Sequence, residues 1–149
     1  MKPMVLFASA LLCSCASAPL VQHAYPGAPR PASETARITM DSQRGHGVLV
    51  GLDDRIYFTA VDGQPTQGTA LQKYPDEVFV LPGERRLSLV WGNGFTIAKG
   101  CLTVPALANH AYVIRQDARK EGVYLWAEDL ASGQSVTGTA KDAKDCPAD

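Results

Sequence analysis

The chain has 149 residues, with 14 Lys and Arg against 15 Asp and Glu and a formal net charge of −1, a length that fits one domain with a modest core. Its basic residues are mixed with acids: Arg85 and Arg86 follow Glu84, and Arg115, Arg119 and Lys120 surround Asp117 and Glu121. Such mixing makes solvated faces, and it excludes both the basic stripe that nucleic acid needs and a polybasic grip on lipid headgroups.

Residues 1–14 read as a signal peptide. Lys2 supplies the positive start and Met4 to Leu12 the apolar stretch, which is far short of the roughly 20 residues that span a bilayer. Ser14-Cys15 resembles the end of a bacterial lipoprotein signal, a small residue before the cysteine to be acylated. Cys13 follows the bulky Leu12, so Cys15 is the expected lipidation site. Each buried methylene of a palmitate-like chain adds about 0.8 kcal/mol, and two or more chains give a lasting membrane anchor. Ala16 and Ser17 follow Cys15; Asp there would disfavour outer-membrane delivery. The expected location is therefore the cell envelope, lipid-anchored at the outer membrane and facing the periplasm.

Residues 15–36 are rich in Ala, Pro and Ser, with Pro19, Pro26, Pro29 and Pro31 and no alternating apolar pattern. They read as a lipidated N-terminus and flexible tether, able to hold a domain up to roughly 65 Å from the bilayer if extended. Tyr25 is its one aromatic residue.

From there the period becomes two. Strands are predicted at Ala36 to Met40, Gly47 to Val50 and Arg55 to Val61. The third puts Ile56, Phe58 and Ala60 on one face and Tyr57, Thr59 and Val61 on the other. Asp62-Gly63 closes it with a turn pair that tolerates positive φ, and residues 64–76 read as a loop. Glu77 to Leu81 is the next strand, and Pro82-Gly83 has the signature of a type II turn. Arg86 to Trp91 alternates, with Leu87, Leu89 and Trp91 on one side, and Gly92-Asn93-Gly94 is a hairpin signal. Further strands follow at Lys99 to Val104, His110 to Gln116 and Val123 to Asp129, with a last short one at Gln134 to Thr137 after the Ser132-Gly133 turn. Pro105 to Asn109 is the one candidate helical turn. The expected fold is all-β, an antiparallel β-sandwich of about seven to eight strands over residues 37–139. Parallel pairing is not expected, for want of crossover helices.

Of four cysteines, Cys13 would leave with the signal and Cys15 would carry lipid, which leaves Cys101 and Cys146. An even remainder in an oxidising compartment suggests a disulfide, clipping the polar tail of residues 140–149 back onto the strand that carries Cys101. Such a loop is worth about 4 kcal/mol at most in the chain-entropy model. Two free thiols or a metal site are the alternatives, the latter without companion ligands at the usual spacing.

The stretch Glu77-Val78-Phe79-Val80-Leu81-Pro82-Gly83-Glu84-Arg85-Arg86-Leu87-Ser88-Leu89-Val90-Trp91 resembles a recurrent segment of small exported bacterial domains. In these a strand meets a Leu-Pro-Gly turn and a second strand returns beside it. Cys101 to Val104, Asn109 to Ile114 and Leu125 to Gly133 are similar to the same group of uncharacterised lipoproteins, where a "Gly-His/Lys-x-Tyr" strand start precedes a hairpin with an Asp and a closing Ser/Thr-Gly. Two positions depart from the pattern: Asn109 stands where Gly is commoner, and Arg85 where His often follows the turn. The resemblance spans roughly residues 48–136 and implies a sandwich of the transthyretin or PEGA-like sort, with no catalytic residues to carry over.

Little chemistry competes with that reading. His23 lies in the tether, His46 in a Gly-rich turn and His110 at a strand start, none in a recognised active-site motif. His110 is the one candidate general base. Asp41, Asp53, Asp54 and Asp62 lack the spacing of a Ca²⁺ loop. Trp91, Trp126, Tyr57, Tyr112 and Tyr124 form an aromatic ligand strip if they share a face; the simpler reading packs them in the core or over one sheet.

The sequence thus points to a non-enzymatic membrane-anchored lipoprotein, an interaction or scaffolding module with an envelope protein as partner and no cofactor, catalytic residue or metal ligand. A cell-wall or glycan-binding accessory protein and a ligand or metal sensor are the alternatives.

Overall fold

Alternating apolar residues can bury one face of a strand, and among the described residues ten strands form two layers whose longer members do so. The computed structural model describes residues 20–41, 55–68, 74–92 and 96–141. The strands are β1 (Val21–His23), β2 (Ala36–Met40), β3 (Arg55–Val61), β4 (Gln64–Pro65), β5 (Glu77–Val80), β6 (Gly83–Gly92), β7 (Ile97–Ala106), β8 (Ala111–Arg119), β9 (Gly122–Asp129) and β10 (Ala140–Lys141). One sheet runs β1-β5-β2-β8-β9-β10 and the other β4-β3-β6-β7. Ile38, Val78, Val80, Tyr112, Ile114, Leu125 and Ala127 of the first meet Ile56, Phe58, Leu87, Leu89, Trp91, Leu102 and Val104 of the second in one core. Each large aliphatic side chain so buried stabilises by about 1.5–3 kcal/mol. At Gly100 the layers meet closely: a Cβ there would lie 2.8 Å from Leu125 Cδ1.

The fold is the expected all-β sandwich, with two parallel pairings added, β1 on β5 and β2 on β8. These need no crossover helix, because the chain between β2 and β8 travels through strands of the opposite sheet. Strand addition also corrects the tether. The chain is part of the domain from Leu20 onward: β1 lies along β5, Ala24 N donates to Phe79 O, and Leu20 and Asp76 exchange bonds through Asp76 N to Leu20 O (2.9 Å) and Leu20 N to Asp76 Oδ2 (3.4 Å). A short 3-10 turn at Ala32–Glu34 follows, and Thr35 is buried. The predicted helical turn at 105–109 is instead the end of β7 and a tight turn, with Pro105 on an edge strand that tolerates it.

In β3 the register passes from Phe58↔Leu89 to Ala60↔Ser88 and leaves Thr59 unmatched. This bulge reverses the phase. Val61 turns inward opposite Leu87, and Ala60 moves to the outer face, where it pairs with Pro65 of β4. Thr66 caps the bulge, its hydroxyl donating to Phe58 O and its N–H to Thr59 O. Asp62 and Gly63, at φ 50° and 77°, make the two-residue hairpin turn.

The Leu81-Pro82-Gly83 segment is a corner, not a hairpin, which corrects the expected return of one strand beside the other. β5 is flanked by β1 and β2, β6 by β3 and β7, so no edge of either is left for its neighbour in sequence. Arg85 holds the corner: Nε donates to Leu81 O (2.8 Å), Nη2 to Pro82 O (2.7 Å) and Nη1 to Asp62 Oδ2 (2.9 Å). Asp62 Oδ1 accepts from Arg86 N (2.8 Å). Gly83, at φ +121°, packs against the same guanidinium. β6 and β7 pair from Gly92↔Ile97, as a Gly92-Asn93-Gly94 hairpin requires, although residues 93–95 lie outside the described residues. So does the predicted strand at 47–50. The predicted strand at 134–137 is a single bridge, Ser135 to Glu128.

Arg85→Ala removes three donated bonds and should lower the stability read from urea unfolding by about 1–3 kcal/mol. Arg85→Lys should recover less than half of that, because an ammonium cannot reach three acceptors with the fixed fork of a guanidinium. Full recovery by Lys would show that charge alone holds the corner.

Candidate functional site

The β8–β9 hairpin brings His110 and Asp129 together from 19 residues apart. Asp129 ends β9 in phase with Val123, Leu125 and Ala127, so the pleat points its carboxylate inward, where a charge needs partners. It has them. Oδ2 accepts from His110 Nδ1 at 2.6 Å, and Oδ1 accepts from Ala131 N (2.7 Å) and Ser132 N (3.3 Å), fixing the Ser132-Gly133 turn. The His110 bond, aided by the two backbone donors, holds the Asp129 carboxyl below its ordinary range against the opposing effect of burial.

Asn109 positions the histidine. At φ 63° it adopts the left-handed conformation that Asn tolerates. Its N–H donates to Ala32 O and Thr35 O, tying the strand start to the N-terminal arm. Tyr112 lies beside the imidazole with ring centroids 6.1 Å apart; its hydroxyl accepts from Leu107 N (3.0 Å) and donates to Pro105 O (3.3 Å).

An ionised carboxylate on Nδ1 fixes the tautomer that leaves Nε2 as the acceptor. That is the orienting half of a catalytic base. Among the described residues no hydroxyl or thiol bonds to this imidazole, so the nucleophile that would complete such a site is not beside it. The pair locks the start of β8 to the end of β9.

A second polar group lies on the outer face of the same sheet. Arg115 Nη1 donates to Asp41 Oδ2 (2.9 Å), and Nε and Nη2 donate to the two oxygens of Glu128 (3.3 and 3.2 Å). These carboxylates, Glu128 foremost, raise the Arg115 pKa. Arg37 pairs with Glu77 on the same face.

The other sequence candidates scatter. His23 stacks on Phe79 at 5.3 Å and shares a 2.9 Å hydrogen bond between Nδ1 and the Tyr25 hydroxyl. Asp41 and Asp62 serve different arginines in different sheets. Among the described residues no three His, Cys, Asp or Glu side chains gather closely enough to hold a metal. The aromatic strip is divided. Trp91 and Tyr112 are in the core. Tyr57 lies near Tyr74 on the outside of the four-stranded sheet, and Trp126 and Tyr124 lie on the outside of the other, Tyr124 beneath the Arg119 guanidinium at 4.8 Å. Cys101 sits on β7 with Sγ 3.9 Å from Ser88 Oγ. Cys15, His46, Asp53, Asp54 and Cys146 lie outside the described residues.

The lowered Asp129 pKa sets a sign for acid unfolding. Between the folded and the unfolded value the unfolded chain binds more protons, so this carboxylate's contribution is full above about pH 4 and is lost as pH falls through the folded value. Asp129→Asn should therefore lower stability at pH 7 and flatten the loss between pH 4 and pH 2, measured by thermal melts across that range. An unchanged acid limb would remove Asp129 from the account.

No family model, curated protein or solved structure matches this chain.

Proposed function

We propose that the chain is an exported lipoprotein, attached through an acylated Cys15 to the periplasmic face of the outer membrane, whose sandwich is a non-enzymatic interaction module. The observation that carries this reading is the order Lys2, apolar Met4 to Leu12, then Ser14-Cys15. The similarity to small exported transthyretin or PEGA-like domains belongs to the same reading. The interaction role is supported by β7, which pairs with β6 alone among the described residues. A long one-sided strand suits an extended partner segment that adds to the sheet. Two oriented residues, His110 and Asp129, without a neighbouring nucleophile among the described residues favour a module over an enzyme. Dispersal of the aromatic residues weighs against a glycan-binding strip.

A Cys101–Cys146 disulfide is part of this proposal. Ala140 of β10 pairs with Leu125, whose side chain packs at Gly100, the residue before Cys101. Five residue steps from Lys141 to Cys146 reach up to about 17 Å, more than the roughly 10 Å between packed sheets.

Cys15→Ser should abolish incorporation of labelled palmitate and move the protein from the membrane to the soluble periplasmic fraction. Crosslinking in intact cells should then lose one reproducible envelope partner, identified by mass spectrometry, that the wild-type protein retains. Unchanged membrane association would overturn the anchor, and recovery of glycan alone would overturn the protein-binding role.

Cys101→Ser should lower the melting temperature under oxidising conditions and leave it unchanged under reducing ones. Equal loss in both would assign the effect to packing.

A further inference from the structure

The arm that reads as a tether in sequence is mostly consumed by the fold. Val21, Gln22 and His23 lie in register with Glu77, Val78 and Phe79. Gln22 Oε1 accepts from Gln67 N (2.7 Å), Leu20 is bonded to Asp76, and Ala24 to Phe79. The chain is therefore fastened to the domain at Leu20, and only residues 16–19 separate that point from Cys15. Five peptide steps at about 3.6 Å reach no more than about 18 Å, against the roughly 65 Å of a free arm extending to residue 36.

We propose that the β1 edge of the sandwich is a lipid-facing surface, held against the bilayer by this short linker. The inference rests on acylation of Cys15. The acyl chains enter at the boundary between headgroups and hydrocarbon, and each headgroup layer is about 5–8 Å thick. Much of the linker's reach is spent crossing that layer, so Leu20 stands at or just above the headgroups. The surface at that point suits the position. Leu20 and Val21 are 38% and 42% exposed, apolar side chains where the chain leaves the domain. The charges nearby are Arg37 paired with Glu77, Arg30 paired with Glu34, and the exposed Asp76 carboxylate that accepts from Leu20 N, a set with no basic excess, which fits a zwitterionic surface and gives no grip on anionic lipid. β10 is the opposite edge of the same sheet, five strand spacings or about 24 Å away. The outer edge that bears it, and β7 beside it, are thus directed into the periplasmic space, where a partner can reach them.

The test places a bimane fluorophore at Val21→Cys or at Thr139→Cys, the residue before β10, in the acylated full-length protein. Background is taken from the acylated parent without an added cysteine. The protein is inserted in phosphatidylethanolamine–phosphatidylcholine vesicles that carry a nitroxide-headgroup lipid. Quenching at position 21 should exceed that at position 139 severalfold. Equal quenching, or stronger quenching at 139, would overturn the proposal while leaving the anchor intact. The same labels on Cys15→Ser protein should show no quenching, and failure of the acylated protein to float with the vesicles would overturn both readings at once.

Discussion

The passage of the chain from one sheet to the other between β5 and β6 is the constraint on which the remaining pairings depend. Val80 ends a strand of one layer and Gly83 begins a strand of the other, so two residues turn the chain through the thickness of the sandwich. Carbonyls at such a corner have no ladder partner, and buried or half-buried ones are costly to leave unpaired. Arg85 answers two of them and reaches Asp62 in the neighbouring turn. With that corner fixed, β5 is free on both edges to receive β1 and β2, and β6 to receive β3 and β7.

The same logic recurs wherever a charge is held inside or across a sheet. Asp129 faces inward because of its phase in β9 and is kept ionised by His110 and two backbone donors. Arg115 joins Asp41, beyond the end of β2, to Glu128 on β9, spanning strands whose order does not follow the chain. Exposed ion pairs contribute little to stability by themselves. Here their value is in register, since a slip of one residue would place each charge on the wrong face.

Much of this was legible in the alternation of residues. β2 and β3 have the bounds their sequences predict, and Leu87, Leu89, Trp91, Val123, Leu125 and Ala127 are buried as their phase requires. What failed had a non-local cause. Thr59 bulges because of how β3 meets β6 and β4, so the sequence of β3 alone assigns Ala60 and Val61 to the wrong faces. β1 has no pattern of its own, and its hydrogen bonds come from the backbone of β5. The Pro82-Gly83 signature specifies a change of direction without saying which sheet receives the next strand. Of the candidate site, His110 was visible as an isolated histidine and Asp129 only as the end of a predicted strand, and their meeting depends on the β8–β9 register.

The parallel pairings carry a consequence for the order in which the molecule acquires its structure. β2 waits for β8, and Thr39 Oγ1 bonds to Tyr112 O across 73 positions of sequence; β1 waits for β5. Contacts of such long separation fold slowly, since loop-closure entropy is lost before the pairing is gained. A chain delivered from its N-terminus therefore presents β1 and β2 first, as open edges without partners. The six-stranded sheet closes only when the β8–β9 hairpin has arrived.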